Sequence, residues 1–128
     1  MTRDSGQTMK IGELADKTGL SLHTIRHYDE VGLLKPSARS EGGFRLYTDQ
    51  DLDRLMLIRR MKPLGFSIDD MTELLRVVDI VSSRGTDPGA REVRAALDGF
   101  ILDARLRREK LREQLAMADE FLDLLGRQ

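Results

Sequence analysis

The sequence has no cysteine and no tryptophan among its 128 residues. Without cysteine it can form no disulfide framework, no thiolate nucleophile and no metal or iron–sulfur site that needs thiolate ligands. Aromatic residues make up only 5% of the chain, whereas charged residues make up 34%, more than the roughly 25% of average domains. This composition favours long helices with wide solvated faces, so we expect a mostly helical protein.

Long hydrophobic runs are also missing. No apolar stretch approaches the roughly 18 to 20 residues of a membrane span, and the start, MTRDSGQT, is too polar for a signal peptide. We therefore expect a cytoplasmic protein whose residues 1–8 form a flexible N-terminus. The formal net charge of −1 does not by itself indicate a nucleic-acid partner, because strongly basic domains are the usual sign of one.

Two short helices are predicted on either side of a glycine turn. Thr8 or a neighbour caps the first helix, and Ser21 caps the second, which ends at Gly32. Apolar positions occur at helical spacing, namely Ile11, Leu14 and Ala15 in the first helix and Leu22, Ile25 and Tyr28 in the second. With Gly19 in the turn, this spacing is typical of a helix-turn-helix, although a plain helical hairpin would show it too.

The next segment has the features of a hairpin followed by two helices. Pro36 and Gly42-Gly43 mark turns, and residues 44–47 alternate like a short strand. Thr48 or Asp49 is expected to cap a helix that ends near Met61, because Pro63 follows. A capping-box pattern at Ser67 and Asp70 then starts a fourth helix with an apolar stripe.

Residues 81–89 are interpreted as a linker between a domain at 9–80 and a coiled-coil helix at 90–128. Asp87 and Pro88 would start that helix, and Gly126 would stop it. Apolar residues repeat along it at heptad spacing, interrupted only by Arg108. The predicted dimerisation residues are Leu97, Ile101, Ala104, Leu111, Leu115, Ala118, Leu122 and Leu125. We expect a partner helix to cover this seam in a homodimer; the alternative is that the helix folds back onto residues 1–80.

Polar side chains on the second helix are candidates for contact with double-stranded DNA. They point away from Leu22 and Ile25, and they are Ser21, His23, Thr24, Arg26 and His27. The hairpin adds Arg39 and Arg45, so that a Gly-tipped wing can hold phosphates beside a major-groove helix. The alternative for Arg26 is an exposed pair with Glu30.

Three motifs carry a close family resemblance. TIRHYDEVGLL at 24–34, GGFRLY at 42–47 and LGFSI at 64–68 occur in one order, and residues 9–75 resemble the DNA-binding domain of the MerR family of bacterial transcription regulators. The resemblance implies a winged helix-turn-helix, a second wing around Lys62 to Ser67, and a long C-terminal helix forming an antiparallel coiled coil. It also implies a homodimer that binds a pseudo-palindromic promoter and distorts it, with RNA polymerase as a candidate partner.

By the same resemblance, particular residues are expected to contact DNA. Thr24, Arg26 and Tyr28 would do so from the recognition helix, and Arg45 and Tyr47 from the first wing, with Lys62 in the second. His27 stands where the family often has Tyr, and Pro63 also departs from the family pattern.

No cofactor, metal or enzymatic activity is expected. Both histidines, His23 and His27, lie on the predicted recognition helix, so neither a metal-sensor site nor a catalytic triad is indicated. We expect no separate ligand-binding domain after the predicted coiled coil, and the resemblance assigns no effector. Two alternatives remain: a MerR-like adaptor that binds a protein, of the chaperone-modulator type, and an architectural excisionase-like factor.

Overall fold

The structure is a computed structural model that describes residues 8–36, 38–84 and 89–128. The predicted flexible N-terminus up to residue 7, and the predicted cap at Asp87 and Pro88, lie outside these residues. The chain divides into two compact units, Met1–Leu75 and Arg76–Gln128, and each is described by itself.

Helices account for most of the described chain. Its helices are α1 (Ile11–Thr18), α2 (Leu22–Glu30), α3 (Asp49–Met61), α4 (Ile68–Arg84) and α5 (Ala90–Gly126), with a 3-10 turn at Lys62–Leu64. The strands are β1 (Met9–Lys10), β2 (Ala38–Arg39) and β3 (Arg45–Tyr47). The mostly helical winged helix-turn-helix expected from the sequence is confirmed.

The three strands form one antiparallel sheet in the order β1-β3-β2. Arg39 pairs with Arg45 in the expected hairpin, and Lys10 pairs with Leu46 on the other side of β3. The sequence analysis missed β1, because two residues carry no strand periodicity and their partner lies far along the chain. The N-cap of α1 is accordingly Lys10, with no side-chain capping bond, since Thr8 precedes a strand and not the helix.

Other helix boundaries follow the predicted capping residues. Ser21 accepts a hydrogen bond from Thr24 N at the start of α2, and a capping box joins Thr48 and Asp51 at the start of α3. At the turn between α1 and α2, Gly19 has φ of 72° and donates its N–H to Ala15 O at 2.8 Å. An L side chain rarely adopts that backbone conformation, so glycine allows the tight turn.

The core of the first unit is apolar and small. Leu14, Ile25, Leu55 and Ile58 are fully buried, whereas Leu22 is 40% exposed. As the first residue of α2, Leu22 lies at the edge of the packed face that Ile25 and Tyr28 form.

The observed boundaries of α4 and α5 differ from the predicted ones. α4 continues to Arg84, so residues 81–84 are helical and not linker, because neither glycine nor proline interrupts residues 68–84. α5 spans 37 residues, or about 56 Å at 1.5 Å per residue. It begins after Gly89, passes through Gly99 and includes Gly126, where a stop was expected. None of the described helices is long and apolar enough to cross a membrane.

The Thr48 cap provides a test of the fold. Thr48→Ala should lower the free energy of unfolding by about 1 kcal/mol, because it removes the acceptor for Asp51 N, whereas Thr48→Ser should keep most of the stability. Urea titration followed by circular dichroism measures both. Equal losses in the two variants would show that the methyl group, and not the capping oxygen, is what stabilises α3.

Candidate nucleic-acid interface

The N-terminus of α2 is organised by two hydroxyls. Ser21 Oγ accepts from Thr24 N at 3.0 Å and lies 2.9 Å from Thr24 Oγ1, to which it donates. Both side chains therefore hold the first turn of α2 in place. Any contact that they make with a partner depends on this preformed turn.

Farther along α2, three basic or titratable side chains share an exposed face. His23, Arg26 and His27 are exposed at helical spacing, and Tyr28 packs behind them. Within the described residues, Arg26 makes no ion pair with Glu30, the alternative raised by the sequence. The Arg26 guanidinium is thus available to an external anion.

The wing between β2 and β3 is closed by hydrogen bonds at its tip. Ser40 N donates to Phe44 O at 2.8 Å, and Gly43 N donates to Ser40 O at 2.9 Å. Arg39 Nη1 also donates to Gly43 O at 3.2 Å, which draws its guanidinium across the turn. The tip is therefore held in one shape and carries a cation.

Asp29 connects α2 to the wing. Its Oδ2 accepts a hydrogen bond from the Tyr47 hydroxyl at 3.2 Å and lies 3.4 Å from Arg45 Nε. Tyr47 is fully buried. Burial, reinforced by the charge of Asp29 and its hydrogen bond, raises the pKa of Tyr47 to about 12. The neutral hydroxyl consequently stays a donor throughout the physiological range.

Four cations converge on one groove beside this contact. Lys10, Arg26, Arg39 and Arg45 line an open groove of about 530 Å³ whose other lining residues are uncharged. The cations come from β1, α2 and both strands of the wing. A concave surface lined by one sign of charge attracts the opposite sign, so the groove suits a polyanion such as a phosphate backbone.

The structure brings only some of the predicted DNA-contacting residues together. Arg26, Arg39 and Arg45 lie together in the groove, whereas Lys62 lies in the 3-10 turn that follows α3.

Two of the predicted contacts, Tyr28 and Tyr47, do not lie on the surface. They are buried in the core, so neither presents the surface that the expected direct contact with DNA requires. Burial also raises the pKa of the Tyr28 hydroxyl.

Sequence reasoning missed Lys10 and Phe44 as groove residues. Lys10 reaches the groove only because β1 pairs with β3.

Among the residues that the structure describes, no cluster of three or more His, Asp or Glu could hold a metal ion.

The family model of the MerR HTH family regulatory proteins matches residues 9–77, more than half of the chain. The chain belongs to the MerR HTH family. A mercuric resistance operon regulatory protein of Bacillus cereus is 49% identical over 70 residues, which cover 55% of this chain and 53% of that protein. The regulator CueR of Salmonella typhi is 34% identical over 113 residues, 87% of this chain and 80% of that protein.

A solved MerR-family structure resembles nearly the whole chain. HiNmlR, described as a regulator lacking the sensor domain and bound to promoter DNA, matches with a TM-score of 0.72 and 26% identity, over 94% of this chain and 92% of that one. Against several curated MerR-family relatives, however, the chain spans about half of their length.

The buried tyrosine of the wing gives a pH prediction. Because the pKa of Tyr47 rises from 10.0 to about 12 on folding, the unfolded state loses its proton first, and stability should fall between pH 10 and 12. Two pH units correspond to roughly 2 to 3 kcal/mol. Below pH 10 this contribution is fully present.

Tyr47→Phe isolates the effect. Urea titrations of the parent and the variant from pH 9 to 12 should give a difference in unfolding free energy that changes across this window and is constant below it. A difference that does not vary with pH would contradict the raised pKa.

Proposed function

We propose that this chain is a sequence-specific transcription regulator that binds promoter DNA as a homodimer. The exposed face of α2 reads base edges in the major groove, and the wing beside it holds the phosphate backbone. Deformation of the DNA between the two half-sites would add to site selection. Such a regulator works in the cytoplasm, where a bacterial chromosome is accessible.

The four-cation groove is the observation that carries this proposal. A chain with a net charge of −1 nevertheless places Lys10, Arg26, Arg39 and Arg45 around one concavity. Arg26 belongs to both the groove and the exposed face of α2, so phosphate binding and base reading would occur at one continuous surface. The HiNmlR structure, which holds promoter DNA, supports this use of the fold.

The seam of α5 supports the dimeric part of the proposal. α5 contains no buried residue, and Leu111, Leu115 and Leu122 are 45 to 63% exposed. Fully covering a leucine contributes about 1.5 to 3 kcal/mol, so a second copy packed antiparallel along the seam would be strongly stabilised.

The sequence has no cysteine, so these residues cannot bind an effector metal through thiolate ligands. Enrichment of duplexes from a random pool by the full chain, followed by footprinting of the region upstream of its own coding sequence, tests the proposed function. Recovery of no preferred sequence would favour a protein-binding adaptor.

Arg26→Ala tests the recognition surface. It should weaken binding to the enriched duplex by about 1 to 3 kcal/mol without a comparable loss on random duplex, because the arginine reads bases as well as phosphate. Gel-shift titrations at fixed salt measure both affinities. The melting temperature should change little, since the Arg26 side chain makes no hydrogen bond or ion pair with the described residues.

Two further variants serve as controls for Arg26→Ala. Arg127→Ala removes the same charge at the end of α5 and should leave binding unchanged. Arg45→Ala should weaken enriched and random duplexes alike and lower the salt slope by about one, as a phosphate contact does. Equal behaviour of the Arg26 and Arg127 variants would remove Arg26 from the interface.

Leu115→Asp tests the dimer. In a two-fold symmetric dimer the substitution places a charge in the seam from both copies. The variant should therefore be monomeric at micromolar concentration and lose tight binding to the full palindrome. Reading two half-sites together provides an effective concentration that a monomer lacks. Sedimentation equilibrium and gel shifts on full and half sites measure both effects.

Leu102→Asp is the matched control, because Leu102 is similarly exposed on α5 but lies outside the heptad seam. It should remain dimeric. A monomeric parent, or a Leu115 variant that binds a half-site as tightly as the parent binds the palindrome, would contradict the dimeric mechanism.

A further inference from the structure

Phe44 is an exposed aromatic residue that is nevertheless held in place. Its side chain is 62% exposed at the wing tip, in the wall of the basic groove. A Cβ placed on Gly42 would lie 3.2 Å from Phe44 Cε2 and 3.3 Å from Cδ2, closer than ordinary van der Waals contact. The ring therefore lies against the bare backbone of Gly42, and glycine at that position leaves room for it.

Lys10 approaches the same ring. Its Nζ lies 5.1 Å from the ring centroid, within the roughly 6 Å range of a cation–π contact. Lys10 comes from β1 and Phe44 from the residue just before β3, so pairing of the two strands brings them together. The ring thus lies between a glycine backbone and an ammonium group that faces the groove.

We propose that Phe44 is a positioning residue that holds the Lys10 ammonium in the basic groove as a phosphate contact, while the rest of the ring packs against the deoxyribose of the same strand. This inference rests on the DNA binding proposed above and assigns a role to Phe44, for which that proposal gives none. A lysine side chain is otherwise free among many rotamers, and ordering it in advance reduces the entropy lost on binding.

The salt dependence of binding distinguishes this role from a structural one. Lys10→Gln removes one cation and should lower the slope of log affinity against log salt by about one. Phe44→Leu removes no charge, yet it should also lower the slope, because the released ammonium no longer stays near the phosphate. Phe44→Tyr keeps the ring and should restore both slope and affinity.

A double-mutant cycle on a random-sequence 20-base-pair duplex completes the test. Lys10→Gln and Phe44→Leu should each weaken binding by about three- to tenfold. The double variant should bind about two- to fivefold more tightly than two independent losses would predict, which is the coupling expected of an exposed cation–π pair. Gly42→Ala should weaken binding in the parent but not in the Phe44→Leu background. Lys110→Gln on α5 is the control for loss of a lysine, and melting curves check that each variant is folded.

The outcomes separate this inference from the proposed function. A parent chain that binds no duplex contradicts both. A parent that binds, with independent losses at Lys10 and Phe44 and an unchanged slope in Phe44→Leu, overturns the positioning role alone. Coupled losses with a reduced slope in Phe44→Leu support it.

Discussion

One carboxylate oxygen, Oδ2 of Asp29, connects the exposed helix to the wing. It accepts the Tyr47 hydroxyl and lies next to the Arg45 guanidinium, so α2 and β3 are joined through a part-buried polar contact. The same carboxylate offsets the charge of Arg45 before any partner arrives. The orientation of the basic groove depends on this contact, because two of its four cations, Arg26 and Arg45, are carried by the two elements that Asp29 joins.

The distribution of charge matters more in this chain than its sum. A net charge of −1 spread over 128 residues would not attract a polyanion, but four short elements each contribute a cation to one concavity. The acidic residues have local roles of their own: Asp51 completes the capping box of α3, and Asp70 accepts from Ser67 N at the start of α4. Carboxylates at helix starts also interact favourably with the helix dipole, so acidity in the sequence does not mean acidity at the groove.

Much of the local structure could be predicted because it depends on neighbouring residues. The caps at Ser21, Thr48 and Ser67, and the turn at Gly19, are determined within a few positions of the chain. The predicted end of the fourth helix was wrong because polar residues such as Ser82 do not break a helix as glycine or proline does. The placement of Tyr28 and Tyr47 at the DNA contact came from family resemblance, which gives a position in a motif but no degree of burial.

By itself, the sequence determined the helices, the hairpin, the heptad seam and the family to which the chain belongs, since periodicity and capping chemistry are local and the motifs are contiguous. Only the tertiary structure decided which cations share a groove. Lys10 joins it through a two-residue strand, and Phe44 is held there by Gly42 and Lys10. The contacts of Lys10 join residues more than thirty positions apart along the chain, and strand pairing over that distance has no signature in local sequence.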